Sequence, residues 1–420
     1  MNCTIFGCFK PLHCYLVQYS VLKKGVSMKF YKLFLFSIIL LLPVVFIVFS
    51  SKPLDINTEK PLTLNIWVQE SLTQEELYFD KAIKRFESYN PSIKIDLSFI
   101  EGSDLKVSNY INTSLLNQSY PDIIISSSHN FNSLATEGLL YNLNDYIKTY
   151  EENYFFDSIL KNGIYNNNLY GVSYDINPEV LVYRKDFLTS INIDFPKGFN
   201  NIDELKNYLN SINELYSTDN LDKIPFSIPT IISDGEFILS LLNIKNSDYN
   251  SLLTSTLSTL RDMYTIFDIN YYDYDKTGAH PFFLGKSALA IEPLSLIYSS
   301  IERDNNLKNK IGIVPIKNFD MKFSYSNNKY ISILNKSNNI SASLDFLNFF
   351  LNSSEIWQRY RYLNTPIITT TLTEQFINDK SFDNATILDY VKESFTYPVS
   401  PDIYNELYNL DSTYDIKLNN

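Results

Sequence analysis

The segment Gly171-Val172-Ser173-Tyr174-Asp175-Ile176-Asn177-Pro178 gathers a phenol, a carboxylate and an amide where an extended run stops, before the apolar strand Val180-Leu181-Val182 begins. Pro178 can neither continue a helix nor donate to a sheet ladder. The stretch 169–188 therefore reads as chain leaving one packed core and entering a second. A crevice between two cores is a common place for a small-molecule site. Side chains of these types hold a polar solute by hydrogen bonds, so Tyr174, Asp175 and Asn177 lead the candidates for ligand contact.

Further candidates sit at the ends of apolar runs. Glu70 follows the run 62–69, while Ser126 and Ser128 follow Pro121-Asp122-Ile123-Ile124-Ile125. Glu292 closes the run Ala288-Leu289-Ala290-Ile291, and Glu236 stands in the first turn of a predicted helix, where an acid also suits the helix dipole.

Catalysis has less to build on. After Ser50 the chain holds two histidines, His129 and His280, and no cysteine, so it has no thiol nucleophile and no pattern of zinc ligands. Carboxylates suitable for a glycosidase pair are plentiful but scattered. Gly285-Lys286-Ser287 is not a phosphate loop, because His280 stands where the first glycine of that motif is needed and the order of elements is reversed.

The elements that position these residues follow from periodicity. Leu62, Leu64, Ile66 and Val68 alternate as a strand, and Thr73-Gln74-Glu75-Glu76 reads as a capping box with Leu72 and Leu77 as its staple. Phe79, Ala82, Ile83 and Phe86 continue that helix to Asn90-Pro91, and Ile93, Ile95, Leu97 and Phe99 form the next strand. With a second helix before the strand 121–125, the order is β-α-β-α-β. That order predicts a largely parallel sheet covered on both faces, with ligands at the carboxyl ends of its strands. Further helices are expected over 200–215, from Asp234, and around Leu344, Leu347 and Leu351. Strands are expected at 224–228, 282–292, 311–315 and 330–334, and Trp357 reads as core.

The front end is of another kind. Leu33 to Phe49 is apolar but for Ser37 and Pro43, and it follows Lys10, Lys23, Lys24, Lys29 and Lys32 with no acid before Asp55. It reads as a signal peptide or a membrane anchor that exports everything after Ser50. Cleavage after Ser50 and retention both remain open, as does the choice of Met1 or Met28 as the start. All three cysteines lie in residues 1–27. Removing the five leader lysines from 35 basic residues leaves 30 against 47 acidic, a formal charge of −17. That balance argues against nucleic acid as a partner. The abundance of Asn, Tyr and Phe is spread evenly and reads as compositional bias.

Several blocks together resemble the family 1 extracellular solute-binding proteins, the binding subunits of ABC importers related to maltodextrin-binding proteins. GVSYDINPEVLVYRKDF is similar to the family's crossover, with Ser173 for its usual Pro and Arg184 for its usual Asn. LTLNIWVQES resembles the opening strand, and YPDIIISSSHNFNSLATEGLLYNLNDYI the strand, polar loop and helix that follow. Residues 282–292, 311–315 and 330–351 resemble later blocks, with Asn327-Asn328 for the usual Gly-Gly. The aromatic that commonly follows the return strand is replaced by Pro293-Leu294-Ser295. Tyr397 lies in a late loop that reaches the cleft in relatives.

The resemblance implies an α/β, two-lobed periplasmic-binding-protein fold of type II, with two mixed, mostly parallel sheets flanked by helices and a hinge between the lobes. The expected division is a leader at 1–27, a signal peptide or anchor at 28–50 and a tether at 51–60. Residues 61–173 with 293–328 form lobe I, and 174–292 with 329–420 form lobe II. The resemblance implies a monomer without cofactor or metal. It would capture a small polar solute, foremost a carbohydrate, for ABC transporter permease subunits, and meet the membrane through the N-terminal segment. A surface structural or adhesive protein on the same fold is the competing class, and an extracytoplasmic hydrolase a third.

Overall fold

The computed structural model describes residues 61–69, 73–102, 104–117, 119–200, 202–216, 224–229, 271–272, 280–315, 326, 328–379 and 382–394. The chain begins with a strand, helix, strand, helix, strand series: β1 (Leu62–Gln69), α1 (Thr73–Tyr89), β2 (Ile93–Ile100), α2 (Asp104–Leu116) and β3 (Ile123–Ser127). After α3 (Ser128–Thr136), α4 (Asn144–Ile147) and α5 (Asp157–Asn162) comes a hairpin of β4 (Ile164–Tyr165) and β5 (Asn168–Leu169), then β6 (Val172–Asp175). Next stand β7 (Glu179–Arg184), α6 (Lys185–Ser190), α7 (Ile202–Tyr216), β8 (Ile224–Pro229), β9 (Tyr271–Tyr272) and β10 (Ser287–Pro293). The rest comprises α8 (Leu294–Arg303), α9 (Leu307–Lys310), β11 (Ile311–Ile313), β12 (Lys329–Ile333), α10 (Ile340–Phe350), α11 (Ser353–Leu363), α12 (Thr373–Asn378) and α13 (Asn384–Glu393).

Among the described residues these strands make two five-stranded sheets, ordered β2-β1-β3-β12-β6 and β11-β7-β10-β8-β9. In the first, β1 runs parallel to β2 and β3, and β12 lies antiparallel between β3 and β6. In the second, β10 pairs parallel with β8 and antiparallel with β7. This is the two-lobed, mixed, mostly parallel α/β architecture that the resemblance implies, and the first sheet carries the parallel β-α-β-α-β series read from the alternating pattern.

The division of the chain differs from the expected boundaries. β11, expected in lobe I, is hydrogen-bonded to β7 in the second sheet, while β12, expected in lobe II, completes the first. Short runs such as Ile311-Gly312-Ile313 show that a strand is buried but not which neighbour covers it. The helices after β12 are also divided. α10 packs its Phe346 and Phe350 against Phe86 and Phe79 of α1, whereas Tyr390 of α13 donates to the Val314 carbonyl of the second lobe at 2.9 Å. One expected element changes in detail, as residues 281–285 turn before β10 starts at Ser287; the expected helix from Asp234 lies outside the described residues.

Turns in this chain lean on asparagine. The described non-glycine residues with positive φ are Asn153, Asn166, Asn167, Asn192 and Asn364. Asn166 and Asn167 are the two central residues of the β4-β5 hairpin, where a left-handed pair matches the twist of the strands. Asn328 is not among them; it is fully buried, and its carbonyl accepts the Ser128 hydroxyl at 3.3 Å. At Gly163 a side chain has no room, since a Cβ would fall 1.9 Å from the Gly171 carbonyl oxygen.

Beneath the first sheet's helices lies a buried polar knot. Glu355 accepts two bonds from Arg85, each 2.7 Å, and the Tyr78 hydroxyl at 3.3 Å. Arg359, 1% exposed, donates to the Phe350 carbonyl at 2.7 Å and lies over the Phe350 and Tyr174 rings at 4.4 and 5.2 Å. Burial pushes the Tyr78 phenol up to about 12. In the Arg85–Glu355 pair the side chains are 32% and 4% exposed, against 72% and 58% for the pair that the neighbouring Lys84 makes with Asp80. Arg85→Met is therefore expected to cost about 2–3 kcal/mol by stranding a buried carboxylate, whereas Lys84→Met costs under about 0.5 kcal/mol. Equilibrium urea unfolding of the two variants checks this, and equal losses would contradict it.

Candidate functional site

The first sheet brings the ends of five strands to one edge. Gln69 ends β1, Ser127 ends β3, Asp175 ends β6, Glu101 follows β2, and Lys329 begins the antiparallel β12. All five line a cleft of about 500 Å³, together with Gln74 and Glu75 of α1, Asn177, Ser295 at the start of α8, and Leu363 to Pro366 after α11. Apolar strands covered on both faces expose side chains mainly where their ladders stop, which is why the polar groups of distant segments meet here.

The chain leaves the first sheet after Asp175 and returns to it at Lys329, and these two residues are paired across β6 and β12. The crossover is tied by short polar contacts. The Asn177 amide N–H donates to Ser326 Oγ at 3.0 Å, and Asn177 Oδ1 accepts the Ser295 N–H at 2.9 Å. Pro178 bridges Ser326, and the Leu294 N–H donates to the Pro178 carbonyl at 3.0 Å.

The floor is charged. Lys329 Nζ lies 2.6 Å from Glu75 Oε2, and the Tyr174 hydroxyl donates to Glu75 Oε1 at 3.1 Å. Asp175 accepts no hydrogen bond from a described residue, although Lys329 and Arg359 act on it through space. Burial pushes both the Glu75 and the Asp175 carboxyls above the usual carboxylate range, and Lys329 draws each partway back. On the neighbouring wall Gln69 holds the loops together: it donates to Asp104 Oδ1 at 2.5 Å and accepts from Asn130 Nδ2 at 2.8 Å and from the Ser127 N–H at 3.0 Å. The Ser127 hydroxyl also donates to Asp104 at 2.6 Å, and it caps α3.

Of the residues singled out by sequence, the structure brings Asp175 and Asn177 to this cleft. Ser126 and Ser128 are buried away from it: Ser126 sits within β3 opposite Tyr330, and Ser128 opens α3. Because side chains alternate along a strand, Ser127 takes the cleft face that its neighbours cannot. Tyr174 is 1% exposed and packs on Phe350 at 5.1 Å, so it supports Glu75 from behind. Glu292 is fully buried in the second lobe with Oε1 2.8 Å from His280 Nε2, where burial raises the carboxyl well above its usual range and lowers the imidazole to about 4. Glu70, Glu236 and Tyr397 lie outside the described residues. Sequence reasoning passed over Lys329 and placed Glu75 in a helix cap; a lysine opening a return strand and an acid just after a strand-end loop were the available signals.

Among the described residues no group of three His, Cys, Asp or Glu side chains could hold a metal ion. No helix among them is long and apolar enough to cross a membrane, and residues 33–49 lie outside them.

A model of the bacterial extracellular solute-binding protein family matches residues 70–355. No curated protein matches the chain. Solved structures resemble it in fold. The sugar-binding protein MalE of Xanthomonas citri is 14% identical over 83% of this chain and 90% of its own, with a TM-score of 0.68. The GacH receptor of Streptomyces glaucescens, solved unliganded and with acarbose, is 16% identical over 84% and 93%, with a TM-score of 0.62. A solute-binding protein of an ABC transporter from Thermotoga lettingae, bound with α-D-tagatose, is 15% identical over 83% and 93%, with a TM-score of 0.62.

A carboxyl whose pKa is raised by folding favours the folded state below its unfolded pKa and loses that contribution as pH rises through the folded value. Ionised Asp175 therefore opposes folding of the empty protein at neutral pH. Asp175→Asn is expected to stabilise the ligand-free chain by roughly 1 kcal/mol at pH 7, the scale of an unpaired polar group, with the gain fading as pH falls below the ordinary aspartate range. Thermal unfolding from pH 3 to 8 measures it; a variant less stable than the parent at pH 7 would contradict the assignment.

Proposed function

The chain belongs to the bacterial extracellular solute-binding protein family, and from that premise we propose that it captures a small hydroxylated solute, a carbohydrate, in the cleft at the Asp175–Lys329 crossover. The observation that carries the reading is convergence. Strand ends from one lobe, the start of α8 from the other and the segment 363–366 all present amides, hydroxyls and carboxylates to one space. Such a set suits a ligand rich in hydroxyl groups, and a wrong ligand would leave those groups unpaired. The sugar ligands of the proteins similar in fold support this class.

In this reading lobe I comprises residues 61–175 with β12, α10 and α11, and lobe II comprises residues 179–315 with α13. The lobes close about the crossovers, exclude water and strengthen each polar contact. The closed form delivers its solute to the permease subunits of an ABC importer. The protein works as an exported monomer without cofactor or catalysis, and the segment 33–49 serves either as a cleaved signal or as its tether. Asp175 and Asn177 contact the solute, with Gln74, Ser127 and Asn364 beside them.

A thermal-shift panel of sugars, polyols and oligosaccharides tests the reading. A true ligand at about 100 times its dissociation constant stabilises the fold by about 2.7 kcal/mol, and Asn177→Ala is expected to reduce that shift. If no member of the panel raises the melting temperature, capture of a carbohydrate is wrong.

A further inference from the structure

The charges on the cleft wall do not balance. Among the described residues three carboxylates line it, Glu75, Glu101 and Asp175, against the one ammonium of Lys329. That ammonium is already committed to Glu75 at 2.6 Å. Asp175, next to it in the sheet register, is left half-buried without a hydrogen-bond donor from any described residue. The second cation nearby, Arg359, stands behind Tyr174 rather than on the wall, and its bonds go to the Phe350 carbonyl and the Tyr78 hydroxyl.

A half-buried carboxylate without a protein donor is met by water in the empty cleft, and a ligand that displaces this water must itself supply the donor. A neutral hydroxyl would supply a donor but leave the excess charge, whereas an ammonium supplies both donor and counter-charge, and charge-assisted bonds are about twice as strong as neutral ones. The described residues of the wall include no aromatic ring, so what is described of it offers charge and hydrogen bonds rather than a stacking face. The acidity of the whole chain, with a formal charge of −12, would draw such a ligand in from solution.

We propose that the solute taken by this cleft is a hydroxylated amine, with amino sugars as its chemical class, and that Asp175 is the residue that selects its positive charge. The proposal rests on the reading of the cleft as a saccharide site. Amides such as Gln74, Asn177 and Asn364 engage the hydroxyls, and the amine takes the place beside Asp175 that no described donor fills.

The test uses matched pairs that differ in charge alone. Calorimetric titration of the full-length chain compares glucosamine with glucose, galactosamine with galactose, mannosamine with mannose, and fully deacetylated chitotriose with cellotriose. The expected result is that at least one amine binds about tenfold or more tighter than its neutral partner, a difference of about 1.4 kcal/mol. That preference should shrink as ionic strength rises from about 0.05 to 0.5 M. Asp175→Asn should bring the ratio close to one, while Glu101→Gln changes it less. Neutral sugars binding as well as or better than their amine partners would overturn the charge inference and leave saccharide capture intact. A panel in which no sugar of either kind binds would overturn both. A preference that survives Asp175→Asn in full would overturn the role of Asp175.

Discussion

The cross-strand pairing of Asp175 with Lys329 is the constraint from which the rest of this structure follows. A lobe is inserted between two neighbouring strands of the first sheet, so the point of departure and the point of return must lie side by side. A further crossing follows α11, since α10 packs on the first lobe and Tyr390 of α13 bonds to Val314 of the second. The position of the Asp175 and Lys329 crossings at the carboxyl edge of the sheet places a carboxylate and an ammonium at the mouth of a cleft. Glu75, delivered by the first turn of the helix after β1, closes the group by pairing with Lys329. Fold and site are thus one arrangement: the sheet order that permits an inserted lobe also assembles the charged floor.

Much of the first lobe was legible because its pattern is local. The alternation through Leu64, Ile66 and Val68 and the helical stripe through Phe79, Ala82 and Phe86 each name an element and its buried face, and all six residues are fully buried. The crossover was legible for the same reason, since Asn177-Pro178 breaks an extended run in place. Which sheet owns β11 and β12 was not legible, because a strand of three or five residues has no mark of its partner. Parity decided the serines: in Ser126-Ser127-Ser128 only one register places a hydroxyl toward the cleft, and sequence does not count the register of a strand whose end is unknown.

The asparagines show how a compositional bias can hide a structural role. The chain has 11 glycines in 420 residues, few for a protein with so many strand and helix ends. Every described non-glycine residue with positive φ is an asparagine, whose short polar side chain tolerates the left-handed region better than most. Asn364 is the instructive case: it ends α11 at φ 56°, lines the cleft, and donates from Nδ2 to Glu302 of α8 at 2.6 Å. One residue serves as helix terminator, cleft wall and tie to the second lobe. Glu75 and Lys329 escaped notice for a different reason, as they are 254 residues apart in the chain.

The parts of the molecule differ in how firmly they are fixed, and that difference says where motion is cheap. The floor is over-determined: β12 is paired on both sides, Tyr174 is packed between Phe350 and Arg359, and Arg359 is itself held by a carbonyl and a phenol. Moving Glu75 would unpair both the Tyr174 hydroxyl and the Lys329 ammonium, each costly to leave without a partner. The crossover, by contrast, is secured by the two Asn177 contacts, the Pro178–Ser326 bridge and the bond from the Leu294 N–H. A change of φ and ψ over residues 176–178 leaves both five-stranded sheets intact, because Pro178 is outside the ladders and the Asn177 side chain accepts from the Ser295 N–H at the start of α8 rather than from a strand. In the proposed reading, closure of the cleft therefore bends the crossings and leaves the charged floor rigid, so the geometry offered to a solute stays constant.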